Sequence, residues 1–431
     1  MKYERYKDSG INWIGEVPSH WMVMPLKRTG TFGNGLTYSP NDVCTDDGIL
    51  VLRSSNIQND KLSFDDNVFV NDCPKELIVR PGDIIICSRN GSASLVGKCA
   101  IVEKELNATF GAFMMRYRPL KNASKRFSFY MLQSSLKFYK GLYSTTTINQ
   151  LTKAVIEQIT VSYPPYEEQE TIADYLDRKC GKINEAIDVQ KKKIDLLNEL
   201  KQTIITNAVT KGLNPNAPMK DSGVEWIGEV PTHWEVMKTS LAFLGIGSGT
   251  TPSTSRKEYY TEEDGLYWLQ TGDLNDGEIT DTSKKITSLA ADECNLKFYP
   301  TDSVVIAMYG ATIGKVGLLK ISTSTNQACC VLPKSKRCIP AFAFYLFIGA
   351  KKQLLIDAMG GGQPNISQDI IKKLKVSIPP ISEQRIIVDH IAVEVSKIDA
   401  QISKANRRIE LLNELKQSII TEAVTGKIKV I

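Results

Sequence analysis

Two stretches of this chain occur twice, and that duplication limits what it can fold into more than any local signal does. Asp8-Ser-Gly-Ile-Asn-Trp-Ile-Gly-Glu-Val-Pro-Ser-His-Trp21 returns as Asp221-Ser-Gly-Val-Glu-Trp-Ile-Gly-Glu-Val-Pro-Thr-His-Trp234, 213 residues later. Ile194-Asp-Leu-Leu-Asn-Glu-Leu-Lys-Gln-Thr-Ile-Ile-Thr206 returns as Ile409-Glu-Leu-Leu-Asn-Glu-Leu-Lys-Gln-Ser-Ile-Ile-Thr421, 215 residues later. Aligned without gaps, Pro164–Thr210 and Pro379–Thr425 are identical at 23 of 47 positions, whereas the segments between the shared parts are far less alike. Two copies are too few to stack as a solenoid. The expectation is a two-lobed chain with a pseudo-twofold internal repeat, one fold used twice.

The shared tails have the pattern of long helices. Each follows a Pro-Pro pair and opens on acidic residues, which suit a helix N-terminus. In the first, Ile183, Ile187, Ile194, Leu197, Ile204 and Ala208 form an apolar seam, with Gln190 and Lys201 in the missing core slots. In the second, Ile398, Ile402, Ala405, Ile409, Leu412, Ile419 and Ala423 do the same, with Lys416 in the slot of Lys201. A seam at seven-residue spacing marks helices that pair as a coiled coil, parallel or antiparallel. About 43 residues at ~1.5 Å each give a rod of ~60 Å, too long for one small core.

The divergent segments alternate short apolar strands with one helix each, the pattern of a mixed α/β (α+β) fold. The first offers strands at 48–53, 83–87, 98–102, 114–117 and 159–163, with a helix near 127–140. The second repeats the order at 266–270, 303–308, 315–319, 328–332 and 374–378, with a helix from Pro340 to about Ala358. Asp83-Ile-Ile-Ile-Cys-Ser-Arg-Asn-Gly91 aligns with Asp302-Ser-Val-Val-Ile-Ala-Met-Tyr-Gly310, each followed by a Gly-Lys pair.

Composition narrows the setting. No stretch approaches ~20 consecutive apolar residues, which excludes a membrane-spanning helix. The opening Met1-Lys-Tyr-Glu-Arg-Tyr-Lys-Asp8 lacks the apolar run of a signal peptide. Nine cysteines without a Cys-x-x-Cys pair argue for a reducing, cytoplasmic setting, against a disulfide scaffold and against a structural zinc site. The net charge of +5 is uninformative as a total. Residues 22–163 carry 17 Lys and Arg against 12 Asp and Glu, and residues 236–378 carry 16 against 13, so the rest of the chain sums to −3. The excess sits in the divergent lobes, where phosphate contacts could grip a polyanion.

Catalytic motifs fail on context. Phe243-Leu-Gly-Ile-Gly247 has the form of an adenosylmethionine loop, but Ser248-Gly-Thr-Thr-Pro252 cannot open the helix such a loop needs. Tyr163-Pro-Pro-Tyr166 resembles the tetrapeptide of amino-methyltransferases, with Tyr163 where an Asp or Asn should accept from the target amine. His20 and His233 are equivalent and are expected to pack against a neighbouring Trp in a structural clasp, and His390 is expected to be solvated or to pack. No phosphate loop and no nuclease-like carboxylate cluster is found, so the chain is expected to be non-catalytic and to hold no metal.

The twin Trp-Ile-Gly-Glu-Val-Pro-x-His-Trp elements resemble the lobe-opening motif of the specificity subunit of type I restriction–modification systems. Val161-Ser-Tyr-Pro-Pro165 with Glu168-Gln169, Val376-Ser-Ile-Pro-Pro380 with Glu383-Gln384, Asn365-Ile-Ser367 and the Leu-Asn-Glu-Leu-Lys-Gln helix ends complete the set, in order and twice over. The first copy departs in having Gln150-Leu-Thr152 where the second has Asn365-Ile-Ser367. The resemblance implies a shared segment at 1–21, target-recognition domains at 22–163 and 235–378, spacer helices at 164–212 and 379–431, and a repeat of the opening segment at 213–234. It implies that each domain reads half of a split double-stranded DNA target, with the coiled coil between them setting the unread spacer. Partners would be methyltransferase subunits, which bring adenosylmethionine for adenine modification, and restriction or translocase subunits, which bring ATP and Mg. This chain itself would bind no cofactor.

Base edges call for bidentate side chains, Arg for guanine and Asn or Gln for adenine. In the first lobe the candidates are Arg53, Ser54, Asn56, Ser88, Arg89, Asn90, Thr146 and Asn149, and in the second Gln270, Thr271, Tyr309, Thr312, Lys315, Gln363 and Asn365. Lys98 and Lys315 are the better candidates for phosphate.

Overall fold

Short, largely buried runs at 49–52 (Ile-Leu-Val-Leu), 84–87 (Ile-Ile-Ile-Cys), 99–101 (Cys-Ala-Ile) and 114–119 (Met-Met-Arg-Tyr-Arg-Pro) help build two small sheets in the first lobe. In one, Ile84–Cys87 lies between Cys99–Ile101 and Met114–Pro119, and Gly30–Asn34 forms the far edge, all antiparallel. In the other, Ile49–Leu52 pairs in parallel with Ala108–Phe110 and antiparallel with Phe69–Val70. The second lobe repeats the plan. Val304–Ala307 lies between Val316–Leu319 and Cys329–Leu332, with Gly247–Ser248 at the edge. Leu266–Leu269 pairs in parallel with Ser324–Thr325 and antiparallel with Lys285–Ile286. The computed structural model describes residues 2–45, 47–143, 150–358 and 365–430, with 140–143 as backbone alone.

The chain divides into two compact units, 1–190 with 407–431, and 191–406. Each long helix, Tyr166–Lys211 and Ile381–Val424, therefore begins in one unit and ends in the other. In the first unit Ile172, Ala173 and Leu176 share a core with Ile420, Ala423 and Val424. In the second, Ile205, Ala208 and Val209 share one with Ile387 and Ile391. The start of one helix meets the end of the other each time, so the pairing is antiparallel.

The seam residues Ile183, Ile187, Leu197 and Ile398 are buried, while Ile194, Ile402, Ile409 and Leu412 are partly so. At the helix ends the burial moves over by one position. Ile205 and Ile420 are buried where Ile204 and Ile419 are only half-buried. The 3.6-residue turn drifts against a strict seven-residue repeat, and the ends pack on the lobes as well as on each other.

Those ends are tied down in matching ways. The Ser162 hydroxyl donates to the Val424 carbonyl at 2.6 Å, and Ser377 to Val209 at 2.7 Å, satisfying last-turn carbonyls that have no partner within the helix. The helix of the second lobe breaks into Pro340–Gly349 and Lys351–Asp357, where the sequence suggests one run. Gln202 Nε2 donates to the Ile348 carbonyl at 2.9 Å, and a Cβ on Gly349 would lie 2.9 Å from Val209 Cγ2. The close approach of the long helix both requires the glycine and takes up the freed carbonyl. In the first lobe Lys125–Tyr143 is continuous, and Ser134 there meets the Thr421 hydroxyl at 2.9 Å.

The opening motifs are clasped by the first turn of the long helices, so His20 and His233 do sit in a structural clasp with the neighbouring Trp, but the clasp is made through a shared carboxylate. His20 and His233 pair with carboxylates. Glu168 accepts from the Trp21 indole at 2.9 Å and meets His20 Nε2 at 2.6 Å. Glu383 accepts from the Trp234 indole at 3.1 Å and meets His233 Nε2 at 2.8 Å. The adjoining glutamines join three segments. Gln169 accepts from Ser124 N–H at 3.0 Å and donates to the Pro164 carbonyl at 2.9 Å. Gln384 accepts from Ile339 N–H at 2.8 Å and donates to the Pro379 and Arg337 carbonyls. His390 is exposed.

The strand alignment also needs one correction. Gly82 N–H bonds the Val102 carbonyl and Asp302 N–H the Leu319 carbonyl, and both residues have positive φ, at 92° and 65°. Asp302 thus stands where Gly82 does and Ser303 where Asp83 does, one residue away from the sequence alignment. Only a residue that tolerates the left-handed region fits that turn, and both Gly and Asp do.

Candidate nucleic-acid interface

Each lobe brings two loops together beside the strand that carries the core. In the first lobe Arg53 ends the strand Ile49–Leu52 and leads into a 3₁₀ turn at Ser54–Asn56. The second loop, after Ile84–Cys87, carries Ser88, Arg89 and Asn90. Asn90 Nδ2 donates to Ser54 Oγ at 3.1 Å and joins them. Arg53, Ser54, Arg89 and Asn90 line one open cleft of ≈ 1340 Å³ with Tyr38 and Phe113. Phe113 is 58% exposed, and Arg89 lies over its ring, 5.2 Å from the centroid.

Not every candidate is free to meet a base. Asn56 is fully buried, its Oδ1 accepting from Arg53 N–H at 2.9 Å and its Nδ2 donating to the Ser63 and Asp66 carbonyls. Ser88 is buried with its hydroxyl on the Phe113 carbonyl at 2.9 Å. Both shape the loops. Arg53 is paired with Asp66 at 2.8 Å, and the Ser55 hydroxyl and then the Arg53 guanidinium hold that carboxyl below the usual range. Lys98 is half-buried with no ion pair among the described residues. Thr146 and Asn149 lie outside the described residues, as does Gln363 in the second lobe.

The second lobe uses the same joints with other side chains. Gln270 ends Leu266–Leu269, and Thr271–Asp273 is the matching 3₁₀ turn, with Asp273 accepting from Gln270 N–H at 2.8 Å as Asn56 does from Arg53. Thr312 Oγ1 donates to the Thr271 carbonyl at 2.7 Å and joins the loops. Ala307 N–H bonds the Lys315 carbonyl as Cys87 N–H bonds that of Lys98, which makes the two lysines equivalent. Tyr309 is exposed at the position of Arg89, and Asn365 is exposed. Leu151 N–H bonds the Ser88 carbonyl at 2.7 Å and Ile366 N–H that of Met308 at 2.8 Å. Thr152 and Ser367 then each cap a six-residue helix. Gln150-Leu-Thr152 and Asn365-Ile-Ser367 are therefore one structural element despite their different residues.

Sequence reasoning missed Phe113 and Tyr38, because an aromatic at a strand edge has the same pattern as core. Among the described residues no group of three or more His, Cys, Asp or Glu is placed to hold a metal, and no helix is long and apolar enough to cross a membrane.

The two lobes are of one design, with different side chains at equivalent loop positions on a framework of shared clasps. The comparisons name the class. Residues 18–204 and 231–413 match the family described as type I restriction modification DNA specificity domain, and the chain belongs to it. The type I restriction enzyme EcoKI specificity subunit of Escherichia coli K12 is 24% identical over 438 residues, covering 96% of this chain and 90% of that protein. The MjaVIII specificity subunit of Methanocaldococcus jannaschii is 27% identical over 438 residues, covering 96% and 94%. A solved chain from work on complex assembly and conformational transition of a type I restriction–modification system aligns with a TM-score of 0.66 at 17% identity, covering 96% of this chain and 99% of that one, a likeness of fold.

Proposed function

We propose that this chain is the non-catalytic DNA-recognition subunit of a type I restriction–modification enzyme, each lobe reading one half of a split double-stranded target. One observation carries the reading. Arg53 and Gln270, Ser54 and Thr271, and Arg89 and Tyr309 occupy equivalent loop positions, while the clasps around Glu168 and Glu383 are alike. Side chains vary where base edges would be met and stay the same where only the scaffold needs them. Arg53, Ser54, Arg89 and Asn90 line the cleft of the first lobe, and Gln270, Thr271, Tyr309, Thr312 and Asn365 are the described candidates of the second, with Lys98 and Lys315 the candidates for phosphate.

The partners are methyltransferase subunits, with restriction subunits joining the complex, in the cytoplasm where the DNA lies. Adenosylmethionine, ATP and Mg belong to those partners. What supports this is an apolar feature present in both copies. Leu196 and Leu200 are 65% and 48% exposed, and Leu411 and Leu415 are 47% and 49% exposed. One helical turn separates each pair, so both leucines lie on one face. An exposed apolar pair kept at equivalent places fits two copies of the same partner. Gel shifts with the purified chain and its methyltransferase partner test the function: sequence-preferring binding is expected, and uniform binding to all duplexes would refute it.

A further inference from the structure

We infer that the first lobe reads a guanine through Arg89, with the ring of Phe113 holding the guanidinium in place. The inference rests on the lobe being a DNA reader and adds which base it demands and which side chain demands it. Among the described candidates of that lobe, the polar groups are spent in turn. The Asn56 amide is buried and bonded on both sides. Ser88 is bonded to the Phe113 carbonyl. Asn90 donates to Ser54 and accepts from Ser92 N–H at 3.0 Å. Arg53 is neutralised by Asp66. Arg89 is exposed, and among the described residues its guanidinium meets the Phe113 ring.

That contact is built rather than incidental. The Phe113 carbonyl accepts from Ser88 N–H at 3.0 Å, from Arg89 N–H at 3.1 Å and from Ser88 Oγ at 2.9 Å, which fixes the backbones of ring and guanidinium against each other. A cation over an aromatic face is held electrostatically, and a held arginine loses less side-chain freedom when it bonds a base. Its planar fork matches the O6 and N7 acceptors of guanine in the major groove, the commonest specific contact of this kind. The exposed ring would then lie against the neighbouring base, where thymine offers a methyl group. The second lobe has Tyr309 at the equivalent position, so this contact is peculiar to the first.

The test maps methylated sites in cells expressing the chain with its methyltransferase partner, comparing the native protein with Arg89→Ala, Arg89→Lys and Phe113→Ala. Both residues are exposed, and an unchanged second half-site reports that each variant folds. The native protein should give a bipartite motif with an essential G·C pair in the half assigned to residues 22–163 by lobe exchange. Arg89→Ala should relax that pair alone by about tenfold to a hundredfold, Arg89→Lys in part, and Phe113→Ala less than Arg89→Ala. Even weakening at every site would make Arg89 a phosphate contact and overturn the inference, as would relaxation at an A·T pair or no change. A native protein giving no bipartite motif would overturn the underlying function as well, which separates the two failures.

Discussion

Replacing Glu168 by alanine removes three contacts in one step: the acceptor for the Trp21 indole N–H at 2.9 Å, for His20 at 2.6 Å and for the Tyr3 hydroxyl at 3.2 Å. Trp21 is fully buried, so its N–H has no water to turn to. Burial first, and then the Glu168 carboxylate, push the Tyr3 hydroxyl well above its ordinary pKa, so it remains a donor throughout the neutral range. A buried donor left unpaired costs about 1–3 kcal/mol, and the more exposed His20 contact adds under ~1 kcal/mol. The opening segment of the first unit should therefore lose about 2–4 kcal/mol of local stability, a thirtyfold to several-hundredfold increase in opening. Glu168→Gln keeps an oxygen for the indole and should lose only about 1 kcal/mol. Glu383→Ala should act in the same way on Trp234 and His233, somewhat less strongly, because among the described residues no tyrosine hydroxyl is bonded to Glu383. Hydrogen exchange followed by peptide measures this directly: amides of residues 9–21 should exchange faster in Glu168→Ala and those of 222–234 in Glu383→Ala. Equal loss from Gln and Ala at Glu168, or equal acceleration of both segments by either variant, would refute the clasp.

Two further outcomes follow from burial. Lys416, with a side chain 10% exposed, pairs with Asp60 at 2.8 Å, whereas Lys201 in the matching slot is 32% exposed and pairs with Asp399. Lys416→Ala should cost about 2–3 kcal/mol in chemical denaturation and Lys201→Ala under ~0.5 kcal/mol, and similar costs would show that burial does not decide these pairs. In the folded protein at pH 8, iodoacetamide should modify the partly exposed Cys44 and Cys294 first. Cys180 should resist, its thiol pushed up to about 11, chiefly by burial. Mass spectrometry showing Cys180 modified as fast as Cys44 would contradict its placement.

The strands read from apolar runs such as Ile84–Cys87 and Val304–Ala307 lie within two residues of those observed, because such runs are properties of the chain itself. By contrast, the second long helix ends at Val424, seven residues short of 431, and the strands Gly30–Asn34, Phe69–Val70 and Ala108–Phe110 carry no such run. The antiparallel sense of the long helices was not legible in the sequence, because Ile183 or Ile398 fits a seam in either direction; it emerges only from the cores that Ile172 shares with Ile420 and Ile205 with Ile387. The partner of His20 was equally hidden, since Glu168 lies 148 residues away. Candidate readers were chosen as polar residues at strand ends. That position serves capping as well as recognition, so it holds both Arg89, whose guanidinium lies over the Phe113 ring, and Asn56, whose amide is consumed by its own loop. The one-residue slip between Asp83 and Asp302 has a similar origin: aspartate is common in turns, and only φ distinguishes the residue that makes the turn from the one that follows it.

The central claim is that the two lobes read independent halves of one target. Its most direct test is the methylated-site map of cells expressing the methyltransferase partner with either the native chain or one whose residues 22–163 come from another member of the family. The account predicts a bipartite motif in both, with one half replaced and the other unchanged. A contiguous motif, or a change in both halves, would contradict it.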